Sequence, residues 1–164
     1  MSDIPFRVGI GYDTHRLEDD RPLILGGVKI DHDRGLAGHS DADVVVHALM
    51  DALLGAAGLG DIGSHFPNTD ESYKGADSVA LLKEVIELLS QQGWKVSNAD
   101  VTLLAEKPVV APHIEDMVRN IENAGLGSGA VNIKATRGEG MGFVGREEGM
   151  ASLAVVLITK IRGE

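Results

Sequence analysis

The sequence predicts a single α/β domain spanning residues 1–164, and three observations carry that prediction. The chain has 164 residues, enough for one sizeable core. Apolar residues recur with a period of two in some stretches and along one helical face in others. These stretches alternate along the chain, with no internal repeat and no low-complexity linker between them.

Phe6, Val8, Ile10 and Tyr12 alternate with Arg7, Gly9, Gly11 and Asp13, the pattern of a first strand. Leu23-Ile24-Leu25 and Val28-Lys29-Ile30 flank Gly26-Gly27, a two-residue hairpin signal. A helix is expected from Ser40, with Asp43 three residues on as a capping-box variant, through Val44, Leu49, Leu53 and Leu54 to about Gly58. It is apolar around most of its girth, which predicts burial. Residues 58–77 show no periodicity and carry Gly60, Gly63, Pro67 and Gly75, as functional loops of that length do.

Asp77 caps the next helix, whose stripe is Val79, Leu82, Val85, Ile86 and Leu89, ended by Gly93. A strand follows over 100–105, and Pro112 opens a helix with Ile114, Met117, Val118 and Ile121 that stops at Gly125. Residues 131–136 read as a strand, 137–142 as a glycine-rich turn and 151–161 as a long final strand.

Composition excludes several classes of function. With 43 % hydrophobic and 24 % charged residues, the chain has a globular and not a disordered balance. Its 15 Lys+Arg against 25 Asp+Glu give a net charge of −10, which opposes non-specific binding to nucleic acid. Small anions remain accessible through metals and backbone N–H groups. No cysteine is present, so thiolate nucleophiles, disulfides and Cys-based zinc sites are ruled out together. Residues 1–7 lack the pattern of a signal peptide, and no apolar run approaches the ~20 residues of a membrane span. The expectation is a cytoplasmic protein with no membrane partner.

Four segments can carry chemistry. In Gly11-Tyr12-Asp13-Thr14-His15, positions i and i+2 of a strand share a face, so Asp13 and His15 can present an oxygen and a nitrogen to one ion. In His39-Ser40-Asp41-Ala42-Asp43, His47 follows one turn after Asp43 on an apolar helix. It is either a core histidine bonded to a carbonyl or to Asp43, or a zinc ligand whose second nitrogen is held by a carboxylate. Asp13, His15 and His47 would leave a fourth tetrahedral position open, as catalytic zinc requires. The third segment, Gly60-Asp61-Ile62-Gly63 with Phe66-Pro67-Asn68-Thr69-Asp70, is either a polar surface loop or a lid over a ligand. The fourth, residues 134–149, exposes backbone N–H groups at Gly138, Gly140, Gly142, Gly145 and Gly149, and Glu139 could hold an oxygen-preferring cation.

In this order and spacing the segments resemble the cyclodiphosphate synthase family of the non-mevalonate isoprenoid pathway. The matching stretches are G-Y-D-T-H at 11–15, H-S-D-A-D-V-V-V-H-A-L at 39–49 and D-A-L-L-G-A-A at 51–57. They continue as G-D-I-G at 60–63, F-P-N-T-D at 66–70, K-G-A-D-S at 74–78 and G-F-V-G-R-E-E-G at 142–149.

The resemblance implies an α+β subunit, a mixed sheet packed with helices, assembled as a homotrimer with active sites between neighbours. It implies conversion of 4-diphosphocytidyl-2-C-methyl-D-erythritol 2-phosphate to the 2,4-cyclodiphosphate with release of CMP, a phosphorus–oxygen lyase reaction. By motif, Asp13, His15 and His47 resemble the zinc ligands, with Thr14 beside the substrate. His39 and Ser40 resemble the phosphate-binding pair, His39 being the candidate for stabilising the transition state. Asp61, Ile62 and Gly63, with Phe66, Pro67, Asn68, Thr69 and Asp70, resemble the methylerythritol and 2-phosphate pocket with its flexible lid. The stretch from Ala105 to Ala111, with Lys107 in it, and Thr136, Arg137, Gly138 and Glu139 resemble the cytidine and diphosphate pocket, Glu139 on a magnesium or manganese ion. Phe143, Arg146 and Glu148 resemble positions lining a central channel where some relatives hold an isoprenoid diphosphate. The alternative for the last two is an arginine–glutamate pair across the three-fold axis.

Two departures stand out. Relatives often read A-T-T-x-E where this chain has Ala135-Thr136-Arg137-Gly138-Glu139, and the second threonine usually carries a transition-state role. Arg137 either contacts phosphate in its place or turns outward. Val109 stands where a lysine is common, and the sequence leaves open whether Lys107 substitutes. The competing readings are a non-catalytic trimer that binds zinc and a cytidine nucleotide, and a metal-dependent phosphohydrolase giving linear products.

Overall fold

Gly9 and Gly11 set the distance around which the domain is built. The computed structural model describes residues 4–161. A Cβ at Gly9 would overlap the carbonyl oxygen of Ala52, and one at Gly11 that of Ala48. The helix carrying those carbonyls therefore lies directly on the strand backbone, closer than any side chain would permit.

That strand, β1 (Phe6–Asp19), runs antiparallel to the last one, β7 (Gly149–Lys160), with Asp13 opposite Ser152 and His15 opposite Met150. β7 pairs antiparallel with β5 (Trp94–Leu104), and β5 pairs parallel with β6 (Val131–Thr136). A short strand, β4 (Arg34–Leu36), adds to the far end of β1 and completes a mixed five-stranded sheet in the order β4-β1-β7-β5-β6. β2 (Leu23–Leu25) and β3 (Val28–Ile30) form a separate hairpin through Gly26 and Gly27, both at positive φ as a tight primed turn requires.

All helices longer than two turns lie on one face of the sheet. The central one, α1 (Val44–Ala57), is buried around nearly its whole girth, with Leu49, Leu53 and Leu54 inaccessible to solvent. Truncating any of these to alanine would cost about 2–5 kcal/mol. α1 ends at Gly58 in the left-handed conformation. A short helix, α2 (Ile62–His65), and a 3₁₀ turn (Glu71–Tyr73) interrupt the following loop. α3 (Ser78–Gln91) begins at its Asp77 cap, and α4 (Ile114–Ile121) continues into a π turn over Glu122–Leu126 in which Gly125 has φ +123°. A last short helix, α5 (Gly142–Gly145), precedes β7.

The opposite face of the sheet has no covering layer among the described residues. It exposes Phe6, Val8, Ile10 and Tyr12 from β1 and Leu153 and Val155 from β7, with Ile10 69 % accessible. No helix among the described residues is long and apolar enough to cross a membrane.

Several boundaries differ from the sequence reading. The expected helix start at Ser40 moves to Val44, because Asp43 is the cap and Ala42 before it has φ +56°. The Asp43 carboxylate accepts the N–H groups of Val45 and Val46 at 3.2 Å, and those of Gly26 at 2.9 Å and Gly27 at 2.7 Å. Burial pushes this carboxyl up to about 6, and the four donors keep it charged at neutral pH. β5 starts at Trp94, six residues before the expected Asp100, since a bulge between Val96 and Asn98 breaks the alternation there. Pro112 lies in a 3₁₀ turn (Ala111–His113) ahead of α4. β4 carries too few residues to show a period. Of the N-terminal segment read for a signal peptide, residues 1–3 lie outside those described.

Candidate active site

The face of β1 that meets α1 bears Gly9, Gly11, Asp13 and His15 in succession. The two glycines admit the helix, and five residues before Ala52 the helix presents His47 to the next two positions. Three donor atoms converge as a result. His15 Nε2 lies 2.9 Å from Asp13 Oδ2, His47 Nδ1 lies 3.1 Å from the same oxygen, and the two nitrogens are 3.3 Å apart. Ligand atoms bound at ~2.0–2.1 Å in a tetrahedral zinc site stand about 3.3 Å from one another. The triangle has the size and the donor chemistry of such a site, and these residues form a group able to hold a metal ion.

The protonation pattern fits as well. His15 Nδ1 is 2.6 Å from the carbonyl of Ala37, which can only accept, so Nδ1 carries the hydrogen and Nε2 turns its lone pair inward. Burial alone would raise the Asp13 carboxyl. Hydrogen bonds and charge from His15 and His47 outweigh that and hold it well below the usual carboxylate range. Burial alone would likewise lower His15, but the hydrogen bond and charge of Asp13 reverse the balance and raise it. The common cause of both shifts is the attraction of the Asp13 carboxylate for positive charge, which a proton on the imidazole or a bound cation could supply.

Beside the triad opens a cavity of about 560 Å³. Asp13, His15, His39, Ser40 and His47 form its polar side, and Met50, Ile62, Phe66, Tyr73 and Leu81 its apolar side. The loop after α1 makes the roof with Gly63, Pro67, Asn68 and Thr69. Phe66 packs edge-on against Tyr73, ring centroids 5.4 Å apart. The loop is pinned at its start by Asp51, which accepts the Ile62 N–H at 2.8 Å, and by Asp61, which accepts from Ser64 N at 2.9 Å. His39 Nε2 donates to the carbonyl of Asp70 at 3.2 Å. Ser40 Oγ lies 3.2 Å from His47 Nε2.

Three residues expected at this cavity are not on its wall. Thr14 points to the other face of β1, where its hydroxyl donates to the Met150 carbonyl at 3.1 Å. Asp61 and Asp70 spend their carboxylates on capping turns, Asp70 through Ser72 N at 2.9 Å.

A second cavity of about 330 Å³ lies between the loop after β5 and the end of β6, and it shares no lining residue with the first. Ala105, Lys107, Thr136 and Arg137 are on its wall. Arg137 neither stands free toward this cavity nor turns to solvent unpaired. Its Nη2 donates to Glu106 Oε1 at 2.7 Å, and Glu106 Oε2 accepts the Gly138 N–H at 2.9 Å. The hydrogen bond and charge of Arg137 hold Glu106 below its ordinary pKa. Lys107 is committed to Glu147 at 2.9 Å, a carboxylate that Arg34 also meets at 3.2 Å. Gly138 packs against Gly145, where a Cβ would overlap backbone, so the glycine-rich turn folds back on α5. Glu139 is exposed at φ +52° and off the wall of both cavities. Phe143 and Arg146 also lie outside both, and Arg146 pairs with Glu148 of its own chain at 2.7 Å.

The sequence reading gave no individual role to Glu106, Glu147, Asp51, Asp41 or Ser78, although each lies in a stretch that carries the family resemblance.

Comparison with known proteins places these observations. The YgbB family model matches residues 6–159. The 2-C-methyl-D-erythritol 2,4-cyclodiphosphate synthase of Geobacillus sp. (strain WCH70) is 58 % identical over 94 % of this chain and 99 % of its own length. That of Clostridium perfringens is 55 % identical over 94 % and 99 %. Among solved structures, the bifunctional IspDF of Campylobacter jejuni superposes with a TM-score of 0.91 at 41 % identity, covering 94 % of this chain and 42 % of that one. The CDP complex of Plasmodium falciparum IspF does so with a TM-score of 0.85 at 27 % identity, covering 98 % and 100 %. The chain belongs to the YgbB family, and the relatives it matches end to end are cyclodiphosphate synthases.

Proposed function

We propose that the protein converts 4-diphosphocytidyl-2-C-methyl-D-erythritol 2-phosphate to 2-C-methyl-D-erythritol 2,4-cyclodiphosphate and CMP. The observation that carries this reading is the Asp13–His15–His47 triad on the wall of a half-apolar cavity, in a chain 58 % identical to a synthase of that name. An oxygen of the 2-phosphate attacks the β-phosphorus, the bond from that phosphorus to the bridging oxygen breaks, and CMP leaves with the oxygen. The ring closes with eight atoms. No protein nucleophile takes part, in keeping with the absence of cysteine.

Catalysis then rests on positioning and charge. Asp13, His15 and His47 would hold zinc, which when bound polarises a phosphoryl oxygen. His39 turns from the Asp70 carbonyl to donate its Nε2–H to the phosphoryl group, and Ser40 offers its hydroxyl beside it. Met50, Ile62, Phe66 and Leu81 enclose the carbon skeleton of the methylerythritol. The loop over 61–74 closes as a lid and keeps water from competing with the 2-phosphate. The second cavity would take the cytidine and diphosphate, with Thr136, Gly138 and Glu139 around the diphosphate and a magnesium or manganese ion on Glu139.

The assembly proposed with this division is a homotrimer, and two observations support it. Two half-sites in one chain share no wall residue, and an uncovered sheet face bears six large apolar side chains. Packing that face against two other copies would bury it and bring one subunit's triad to another's cytidine cavity. Phe143 and Arg146 would line the central channel, where an isoprenoid diphosphate could meet the arginine. The close relatives are named as synthases, and no observation favours a non-catalytic nucleotide-binding trimer. The test is release of CMP from the diphosphocytidyl substrate by the purified protein with zinc and magnesium. No release under saturating metal would sink the reading.

A further inference from the structure

Resting on that reading of the metal site, the geometry points to Asp41 and Ser78 as a relay that positions His47 for the metal by fixing its tautomer. Ser78 is fully buried at the first turn of α3. Its hydroxyl donates to Asp41 Oδ1, and its backbone N–H donates to Asp41 Oδ2 at 2.9 Å. A carboxylate can only accept, so the single hydroxyl hydrogen of Ser78 is committed to Asp41. Ser78 Oγ, 2.9 Å from His47 Nε2, is therefore left as an acceptor, and Nε2 must carry the hydrogen. His47 Nδ1 then turns a free lone pair toward Asp13 and His15.

The relay matters because the other tautomer has a strong attraction of its own. Asp13 Oδ2 lies 3.1 Å from His47 Nδ1 and would gladly accept a hydrogen there. That hydrogen would stand where the metal must bind. Ser40 Oγ also approaches Nε2, but at 3.2 Å, half-exposed and without a carboxylate behind it, so it leaves its own hydrogen free to point either way. Only Ser78 has its direction imposed. A carboxylate hydrogen-bonded to a ligating imidazole raises ligand basicity and fixes ring orientation. Here the carboxylate of Asp41 does so through one intervening hydroxyl.

The same residues join the lid to the metal site. Asp41 N–H donates to the Ala76 carbonyl at 3.1 Å, and Gly75 N–H donates to the His39 carbonyl at 2.9 Å. The strip bearing His39 and Ser40 is thus laid along the root of the lid, and Asp41–Ser78 closes that seam against His47.

The experiment compares zinc affinity, by competition with a chelator, in the full-length parent, Ser78→Ala, Ser78→Thr and Asp41→Asn. Ser78→Ala keeps the backbone bond to Asp41 and loses only the hydroxyl. It should bind zinc about 10–100-fold more weakly, the range for losing such a support. Ser78→Thr keeps the hydroxyl and should stay within about threefold of the parent. Asp41→Asn can donate to Ser78 and reverse the direction of the chain, so it should weaken zinc as the alanine does. Nitrogen-15 spectra of the zinc-free protein at neutral pH give a second readout: His47 protonated on Nε2 in the parent, shifted toward Nδ1 in Ser78→Ala. Parent-like affinity and tautomer in Ser78→Ala would overturn the relay, and so would a threonine variant as weak as the alanine one. A parent that binds no zinc would overturn the metal reading itself, a separate outcome from a parent and alanine variant that bind alike.

Discussion

Arg137 and Glu106 hold each other at 2.7 Å, and the second oxygen of that carboxylate is bonded to the Gly138 N–H at 2.9 Å. The Glu106 side chain is only 8 % exposed although Arg137 is 61 % exposed, so the arginine lies over the carboxylate as a partial cover. A threonine at 137 would uncover a negative charge beside the site proposed for a diphosphate. Arg137→Thr should therefore raise KM several-fold and leave kcat within about threefold, since the loss falls on ground state and transition state alike. Adding Glu106→Gln should bring KM back toward the parent. Steady-state kinetics on the two variants decide it: a large fall in kcat for Arg137→Thr would give the arginine a transition-state role instead.

His39 and His47 stand on opposite sides of the proposed division of labour. His47→Ala should abolish both zinc retention, expected at about one ion per subunit, and turnover. His39→Ala should keep its zinc and lose roughly a hundredfold or more in rate, the usual cost of one donor to a developing charge. Metal analysis beside turnover separates them. A His39→Ala protein with normal rate and poor zinc retention would move that histidine into the metal shell.

The Asp70 carbonyl accepts from His39 Nε2 at 3.2 Å, which ties the proposed lid over 61–74 to the proposed phosphate-binding histidine. Amide hydrogen exchange in this segment should be fast without ligand and slow with substrate bound. Equal protection in both states would remove the lid from the account.

Ile10, 69 % accessible in the middle of the uncovered sheet face, reports on assembly. The parent should sediment at about three times the 17.3 kDa of one chain. Ile10→Asp places a charge in the proposed interface and should give a monomer. That monomer should still bind zinc, because Asp13, His15 and His47 come from one chain, yet it should not turn over. A fully active monomer would contradict shared active sites.

Much of this was legible in the sequence because strand and helix periods are local. The i, i+2 spacing of Asp13 and His15 put both on one face. The hairpin at Gly26-Gly27 and the caps at Asp77 and Gly58 were equally local. What stayed hidden depended on distance along the chain. Ser78 reaches His47 from 31 residues away and Glu106 reaches Arg137 from the same separation, with no period to announce either. The alternation in β1 announced a strand but not which of its faces meets the helix. Phe6, Val8, Ile10 and Tyr12 form the outward face, and the small and polar residues form the inward one. The proposed trimer would supply the cover for that outward face.

The most direct measurement is phosphorus NMR of the reaction with purified protein, zinc, magnesium and the diphosphocytidyl substrate. The account predicts CMP and a 2,4-cyclodiphosphate in equal amounts, the two ring phosphorus nuclei coupled to one another. A linear bisphosphate accompanying CMP would mean that water is the nucleophile, and would contradict it.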